Sequence, residues 1–157
     1  MSDSERRPVV VVGYDGSEAS RAALMLAVRR AGRSGRVFVV HAYELPPDFL
    51  GSPNYQQLLS ESTDRGRALL DALPLTANDE LSEIECETEL IGGPPAQAID
   101  SVARARDADE IILGARGLGR IRALLGSVSH ELLHIADRPV LVIPTAAVET
   151  IQRVHAT

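Results

Sequence analysis

The chain has 157 residues, of which 45% are hydrophobic, 24% are charged and 3% are aromatic. This length suits one domain with a single core. The net charge of −6 disfavours a protein that binds nucleic acid by neutralising its phosphates. All 16 basic residues are arginine, which excludes a lysine-containing P-loop, a Schiff-base lysine and a lysine general base.

Cysteine content and hydropathy exclude further classes of protein. The one cysteine, Cys86, excludes an intramolecular disulfide and any metal site with several cysteines. The apolar run near the start is too short for a secretory signal, and no stretch approaches the length of a membrane span. We expect a soluble, cytoplasmic protein that binds neither membrane nor nucleic acid.

The first third of the chain alternates between strand and helix patterns. The continuous apolar run at 8–13 predicts a strand buried on both faces. Small and apolar residues at helical spacing follow from Ala19 and end at Gly32 and Gly35, which favours a helix. Residues 36–42 predict a second strand, and the prolines within 43–55 indicate a long surface loop.

The middle of the chain continues the alternation. Helical spacing runs from Leu58 to Leu73. Residues 82–91 alternate strictly, which predicts a half-exposed edge strand whose glutamates face water. Pro94 or Pro95 then suits the first turn of a helix that runs to about Arg106.

The last third supplies a buried strand at 110–113, a helix at 127–136 and a final strand at 139–143. The apolar run of this last strand predicts burial, and we also expect it to be an edge strand with open hydrogen-bonding groups that pairs in a dimer. Such alternation predicts an α/β fold, an open and mostly parallel sheet with helices on both faces. We expect a single domain over residues 1–157, with its core at about 7–145 and short flexible termini.

Two segments are placed to bind a ligand, because open α/β sheets bind ligands beyond the carboxyl ends of their strands. The first, 13–17, follows strand one, and the second, 114–129, follows strand four. The second segment combines glycines, the N-terminus of a helix, hydroxyl donors and arginines, which together suit a phosphate. These residues are Gly114, Gly117, Gly119, Gly126, Ser127, Ser129, Arg116, Arg120 and Arg122. The alternative is a surface loop with ordinary glycine and serine caps.

Single residues near these segments also allow two interpretations. Asp15 suits ribose hydroxyls or Mg²⁺, and it equally suits an Asx-turn or a helix cap. His41, at the end of strand two, suits a ligand contact, although a histidine at the edge of the core is favoured. Cys86 has no basic neighbour in the sequence, which predicts an inert thiol.

His130 to His134 spell H-E-x-x-H on a predicted helix, the spacing of a zinc protease. The longer form of that motif fails, because Asp137 stands where glycine is needed. The helix is also needed for packing. We therefore favour exposed or structural histidines, and we assign no metal ligand and no catalytic residue.

Residues 9–27 (VVVVGYDGSEASRAALMLA) and residues 113–144 (LGARGLGRIRALLGSVSHELLHIADRPVLVIP) resemble the universal stress protein family. The resemblance covers residues 7–145. It implies an open five-stranded sheet of order 3-2-1-4-5, of the adenine nucleotide alpha hydrolase-like type, and a homodimer paired through the last strand. One branch of the family binds ATP through G-x2-G-x9-G-[ST], whereas this chain has eight residues between Gly117 and Gly126.

The resemblance implies a role for each site residue. Asp15 would face the ribose or phosphates, with Gly13 beside it, and Leu113 would pack near the base. The backbone at Ala42 would bind adenine. Gly114 and Gly117 would line the path of the ribose and phosphates. The phosphates would be cradled by Gly126, Ser127, Val128 and Ser129.

The expected function is an ATP-binding regulatory module in the stress response, with Mg²⁺ as the accompanying ion and an unidentified protein partner. The alternative is a nucleotide-independent, dimeric interaction protein of the same fold, and a lesser alternative is a slow ATPase. Replacing Gly114 or Gly126 by a bulky residue is expected to abolish binding and to leave the fold intact.

Overall fold

A computed structural model gives the structure of the chain and describes residues 6–47, 53–73, 84–115 and 125–155. Within these ranges, the strands lie in the lateral order β3-β2-β1-β4-β5. All neighbouring pairs are parallel. The predicted α/β class and the order 3-2-1-4-5 are therefore confirmed. The strands are β1 (Val9–Gly13), β2 (Arg36–Tyr43), β3 (Glu85–Gly92), β4 (Glu110–Gly114) and β5 (Val140–Ile143).

Helices cover both faces of the sheet, as predicted. Helices α1, α2 and α5 pack on one apolar cluster, and α3 and α4 pack on the other. None of the helices in the described ranges is long and apolar enough to cross a membrane. The helices are α1 (Glu18–Ala31), α2 (Tyr55–Asp71), α3 (Pro95–Ala105), α4 (Ser127–Ile135) and α5 (Val148–His155).

The central strand β1 shows why the first apolar run is continuous. Its side chains alternate between the two clusters, with Val10 and Val12 on the α1 side and Val9 and Val11 on the α3 side. A strand in the middle of a parallel sheet is covered on both faces, so each position requires an apolar residue. The continuous run therefore agrees with the central position of β1.

Helix α5 lies where the sequence suggested a flexible terminus. Val148 is buried, and Ile151, three residues later, packs against the same cluster as α1. This spacing puts both side chains on one face of a helix. The fold thus continues past residue 145, and the prediction of a core ending there missed one element.

The prediction that the final strand is buried was wrong in part. Strand β5 lies at the edge of the sheet, where Leu141 is 37% exposed and only Ile143 is buried. Val140 and Val142 are half-buried. An apolar run therefore indicated a covered strand, although in a single copy of the chain β5 is only partly covered.

The prediction for the glutamates of β3 also needs correction. The strand is at the opposite edge, as expected, but Glu87 and Glu89 are half-buried and not freely in water. Arg36 binds Glu87 at 2.6 Å, and Arg106 binds Glu89 at 2.6 Å. Both guanidinium groups also lie over the ring of Phe38, at 4.9 and 4.7 Å from its centre. Arginines from β2 and the end of α3 therefore neutralise this row.

Candidate functional site

A cavity opens at the carboxyl edge of the sheet, where β1, β2 and β4 end beside the first turn of α4. The space between these elements, with the open mouth included, is about 630 Å³. Strands β2 and β4 lie on opposite sides of β1, so the strand order reverses at this point. Such folds bind ligands where the order reverses. Nine residues singled out from the sequence line it: Gly13, Asp15, Ala42, Leu113, Gly114, Gly126, Ser127, Val128 and Ser129.

The tenth residue, Gly117, lies outside the described residues, as do Arg116, Arg120 and Arg122. Among the described residues that line the cavity, the ionisable side chains are those of Tyr14, Asp15 and His41. In this part of the chain, attraction for a phosphate group therefore comes from backbone N–H groups and the positive end of a helix.

Asp15 belongs to a tight turn between β1 and α1. Its Oδ1 accepts a hydrogen bond from the Ser17 N–H at 3.0 Å, which is an Asx-turn. Ser17 in turn caps α1 by accepting from the Ser20 N–H at 3.1 Å. The Asx-turn interpretation is thus correct for Oδ1, and the same residue also lines the cavity.

The first turn of α4 lines the cavity, and the N–H groups at its start have no hydrogen-bond acceptor among the described residues. The first bond within the helix runs from the His130 N–H to the Gly126 carbonyl at 2.9 Å. The N–H groups of Ser127, Val128 and Ser129 therefore have no carbonyl acceptor within the helix. Helix geometry and the macrodipole both make this turn suitable for an anion.

Ser129 does not offer its hydroxyl as the sequence suggested. Its side chain is 2% exposed, and its Oγ–H donates to the Gly126 carbonyl at 2.9 Å. The hydroxyl hydrogen is therefore engaged inside the helix. Ser127, at the first helical position, is exposed and lines the cavity.

Two of the glycines serve different purposes. A Cβ on Gly114 would lie 2.5 Å from the backbone carbonyl carbon of Ala19 and 2.7 Å from the Ser20 nitrogen, so this glycine allows α1 to approach β4. A Cβ on Gly13 would meet the ends of two flexible side chains, Ile99 at 2.7 Å and Leu113 at 3.0 Å. Gly114 lines the cavity, but packing against α1 is what requires a glycine there.

Sequence reasoning missed part of the cavity wall and undervalued His41. The wall also contains Tyr14, Ser20, Val40, His41, Pro95 and Ile99. The sequence could have placed Val40 and His41 in the cavity wall, because both lie near the end of a predicted strand. Nothing local in the sequence indicated that Pro95 and Ile99 of α3 would reach the same place.

The H-E-x-x-H residues lie on the exposed side of α4. The rings of His130 and His134 have centres 4.6 Å apart, and Nδ1 of His134 donates to the His130 carbonyl at 2.8 Å. In the parts of the chain that the structure describes, no group of three or more His, Cys, Asp and Glu residues is placed to hold a metal ion.

Cys86 lies on β3, away from the cavity lining. Burial, and to a smaller extent the neighbouring Glu87 carboxylate, raises the pKa of its thiol to about 11. Since the thiolate is the reactive form, this thiol is poorly reactive at neutral pH.

Comparison with known proteins agrees with the fold. The model of the universal stress protein family matches residues 7–144. A universal stress protein of Thermus aquaticus is 36% identical over 137 residues, which is 85% of this chain and 96% of the relative.

Two solved structures resemble the chain over most of its length. Universal stress protein UspA from Lactobacillus plantarum has a TM-score of 0.71 and 25% identity, with 88% of this chain and 98% of the other covered. A universal stress protein solved in complex with cAMP has a TM-score of 0.59 and 26% identity, with 87% and 96% covered. Since the family model matches residues 7–144, which include every strand of the described sheet, the chain belongs to the universal stress protein family.

Proposed function

We propose that the cavity binds an adenine nucleotide, namely ATP with Mg²⁺. The protein is then a cytoplasmic regulatory module whose nucleotide state alters its interactions with partner proteins in the stress response. One observation carries this proposal: the Asp15 turn lines the same cavity as the first turn of α4, whose first N–H groups have no acceptor within the helix.

The wall of the cavity matches the three parts of a nucleotide. The backbone at Ala42 offers hydrogen bonds to adenine, and Leu113 and Ile99 supply an apolar surface for the base. Asp15 accepts from ribose hydroxyls or, with phosphate oxygens, holds Mg²⁺, which prefers carboxylate and phosphate ligands. The N–H groups of 127–129 hold phosphate.

The similar structure in complex with cAMP supports the adenine nucleotide class. That structure is 26% identical to this chain and covers 87% of it. The lack of lysine in this chain also agrees with a site that depends on backbone donors and a helix N-terminus.

Release of bound nucleotide tests the proposal. Freshly purified protein is denatured with acid, and the supernatant is separated by anion-exchange chromatography. We expect an adenine nucleotide, mainly ATP, in an amount approaching one per chain after incubation with ATP and Mg²⁺ and removal of free ligand. A supernatant without adenine nucleotide, before and after that incubation, would contradict the proposal.

The second part of the proposal is a homodimer paired through β5. This edge strand leaves its outer hydrogen-bonding groups without a neighbour among the described strands, and Leu141 on it is 37% exposed. Leu133 of the nearby helix α4 is 47% exposed. A second copy related by a two-fold axis would cover both leucines.

A charged residue on β5 is therefore expected to produce monomers. Leu141→Arg would place a guanidinium group in the interface, so light scattering at micromolar concentration should give half the mass of the unmodified protein. Leu58→Arg, at a leucine of α2 that is 46% exposed, is the matched control and should remain dimeric. A monomeric mass for the unmodified chain would refute the dimer.

A further inference from the structure

His41 connects the end of β2 to the turn that carries Asp15. Its Nδ1 lies 2.8 Å from the Tyr14 carbonyl oxygen, although the two residues are 27 positions apart in the chain. The Tyr14 N–H donates to the Val40 carbonyl at 2.8 Å. Both polar groups of the Tyr14 backbone are thus bound to β2, one through the strand and one through the histidine ring.

The carbonyl determines which ring nitrogen carries the hydrogen. A carbonyl oxygen only accepts, so Nδ1 of His41 must be protonated to make this bond. The neutral ring then has its unprotonated nitrogen at Nε2, on the edge that faces α2. The hydrogen bond to Tyr14 therefore exists in both the neutral and the charged form of the ring.

Helix α2 holds the ring from the opposite edge. A Cβ on Gly66 would lie 3.1 Å from Cδ2 and 3.6 Å from Nε2 of His41, and 2.6 Å from Cδ1 of Leu90. Gly66 is inside α2, where glycine weakens a helix relative to alanine. Close packing against His41 and Leu90 gives a physical reason for this glycine. The ring is consequently fixed between α2 and the Tyr14 carbonyl.

We propose that His41 is a positioning residue for nucleotide binding, which acts by holding the Tyr14–Asp15 turn so that the Asp15 carboxylate meets the ribose. This inference rests on the proposed nucleotide site. The turn has its own internal bonds, from Ser17 to Asp15 and from Ser20 to Ser17, but these fix it to α1. The His41 bond fixes the same turn to the sheet, beside the Ala42 backbone proposed for adenine.

Two substitutions separate the hydrogen bond from the bulk of the ring. His41→Leu removes the donor, whereas His41→Asn keeps an N–H donor near the position of Nδ1. We expect ATP to bind about tenfold more weakly to the leucine variant, as for the loss of one partly buried hydrogen bond. The asparagine variant should recover most of this affinity. His134→Leu, at an exposed histidine outside the cavity, is the matched control and should bind as the unmodified chain does.

A ribose analogue tests whether His41 acts through Asp15. The unmodified chain should prefer ATP to 2′,3′-dideoxy-ATP, which lacks the hydroxyls that the carboxylate accepts from. In His41→Leu this preference should be largely lost. Equal weakening of both ligands, or failure of His41→Asn to recover affinity when thermal unfolding shows it folded, would overturn the positioning role.

The outcomes also separate this inference from the proposal beneath it. If the unmodified chain does not bind ATP, both are overturned. If it binds ATP and His41→Leu, shown to be folded, binds equally well, only the inference about His41 is overturned.

Discussion

Gly126→Val is expected to abolish nucleotide binding and to leave the fold intact. Gly126 has φ −61° and ψ 160°, which is extended backbone that a β-branched residue adopts readily. Valine there lowers the entropy of the unfolded chain, which offsets its weaker capping of α4. The added methyl groups, however, stand at the N-terminus of α4, in the wall of the cavity.

The expected loss of affinity is large because the phosphate would be kept from the first N–H groups of the helix. Losing two hydrogen bonds to a charged group, at about 1.5–3 kcal/mol each, weakens binding by about 100-fold or more. Calorimetry measures the affinity, and thermal unfolding shows that the fold remains. Gly126→Ala, with one carbon added, should give an intermediate affinity. Unchanged affinity in Gly126→Val would remove α4 from the site.

Gly114→Val is expected to destabilise the fold itself. The same glycine-to-valine change here puts Cβ 2.5 Å from the Ala19 carbonyl carbon, and backbone cannot move aside as a flexible side chain can. Separating α1 from β4 would cost about 3 kcal/mol or more. For a chain of this size, that corresponds to a melting temperature lower by about 6–12 °C.

Urea unfolding and thermal unfolding of the two valine variants, measured side by side, test this distinction. Gly114→Val should unfold at a lower urea concentration than the unmodified chain, and Gly126→Val should not. Wild-type stability of Gly114→Val would show that α1 does not lie as close to β4 as described. The expectation from sequence that a bulky residue abolishes binding and leaves the fold intact is therefore withdrawn for Gly114 and stays a prediction for Gly126.

Much of the fold could be predicted because periodicity reports burial directly. The four valines of β1 predict cover on both faces and the alternation of β3 predicts a half-exposed edge strand, and the structure has both. The full strand order was expected only from the family resemblance. The apolar run of β5 gave a false indication of burial. Periodicity cannot tell whether a strand is covered by its own chain or by another molecule.

The candidate site was predictable where it follows strand ends and glycines, as at Asp15 and Gly126. It was less predictable where distant segments meet. The bond from His41 to Tyr14 joins residues 27 positions apart, and Gly66 contacts the same ring from α2. Such contacts depend on how α2 crosses the sheet, which no local pattern in the sequence specifies.

Calorimetric titration of the purified protein with ATP, in the presence and absence of Mg²⁺, tests the central claim most directly. The account predicts saturable binding near one nucleotide per chain, tighter with Mg²⁺, and little binding by Gly126→Val. The absence of heat, together with no thermal stabilisation by ATP at millimolar concentration, would contradict it. The cavity at the carboxyl edge of the sheet would then not be an ATP site.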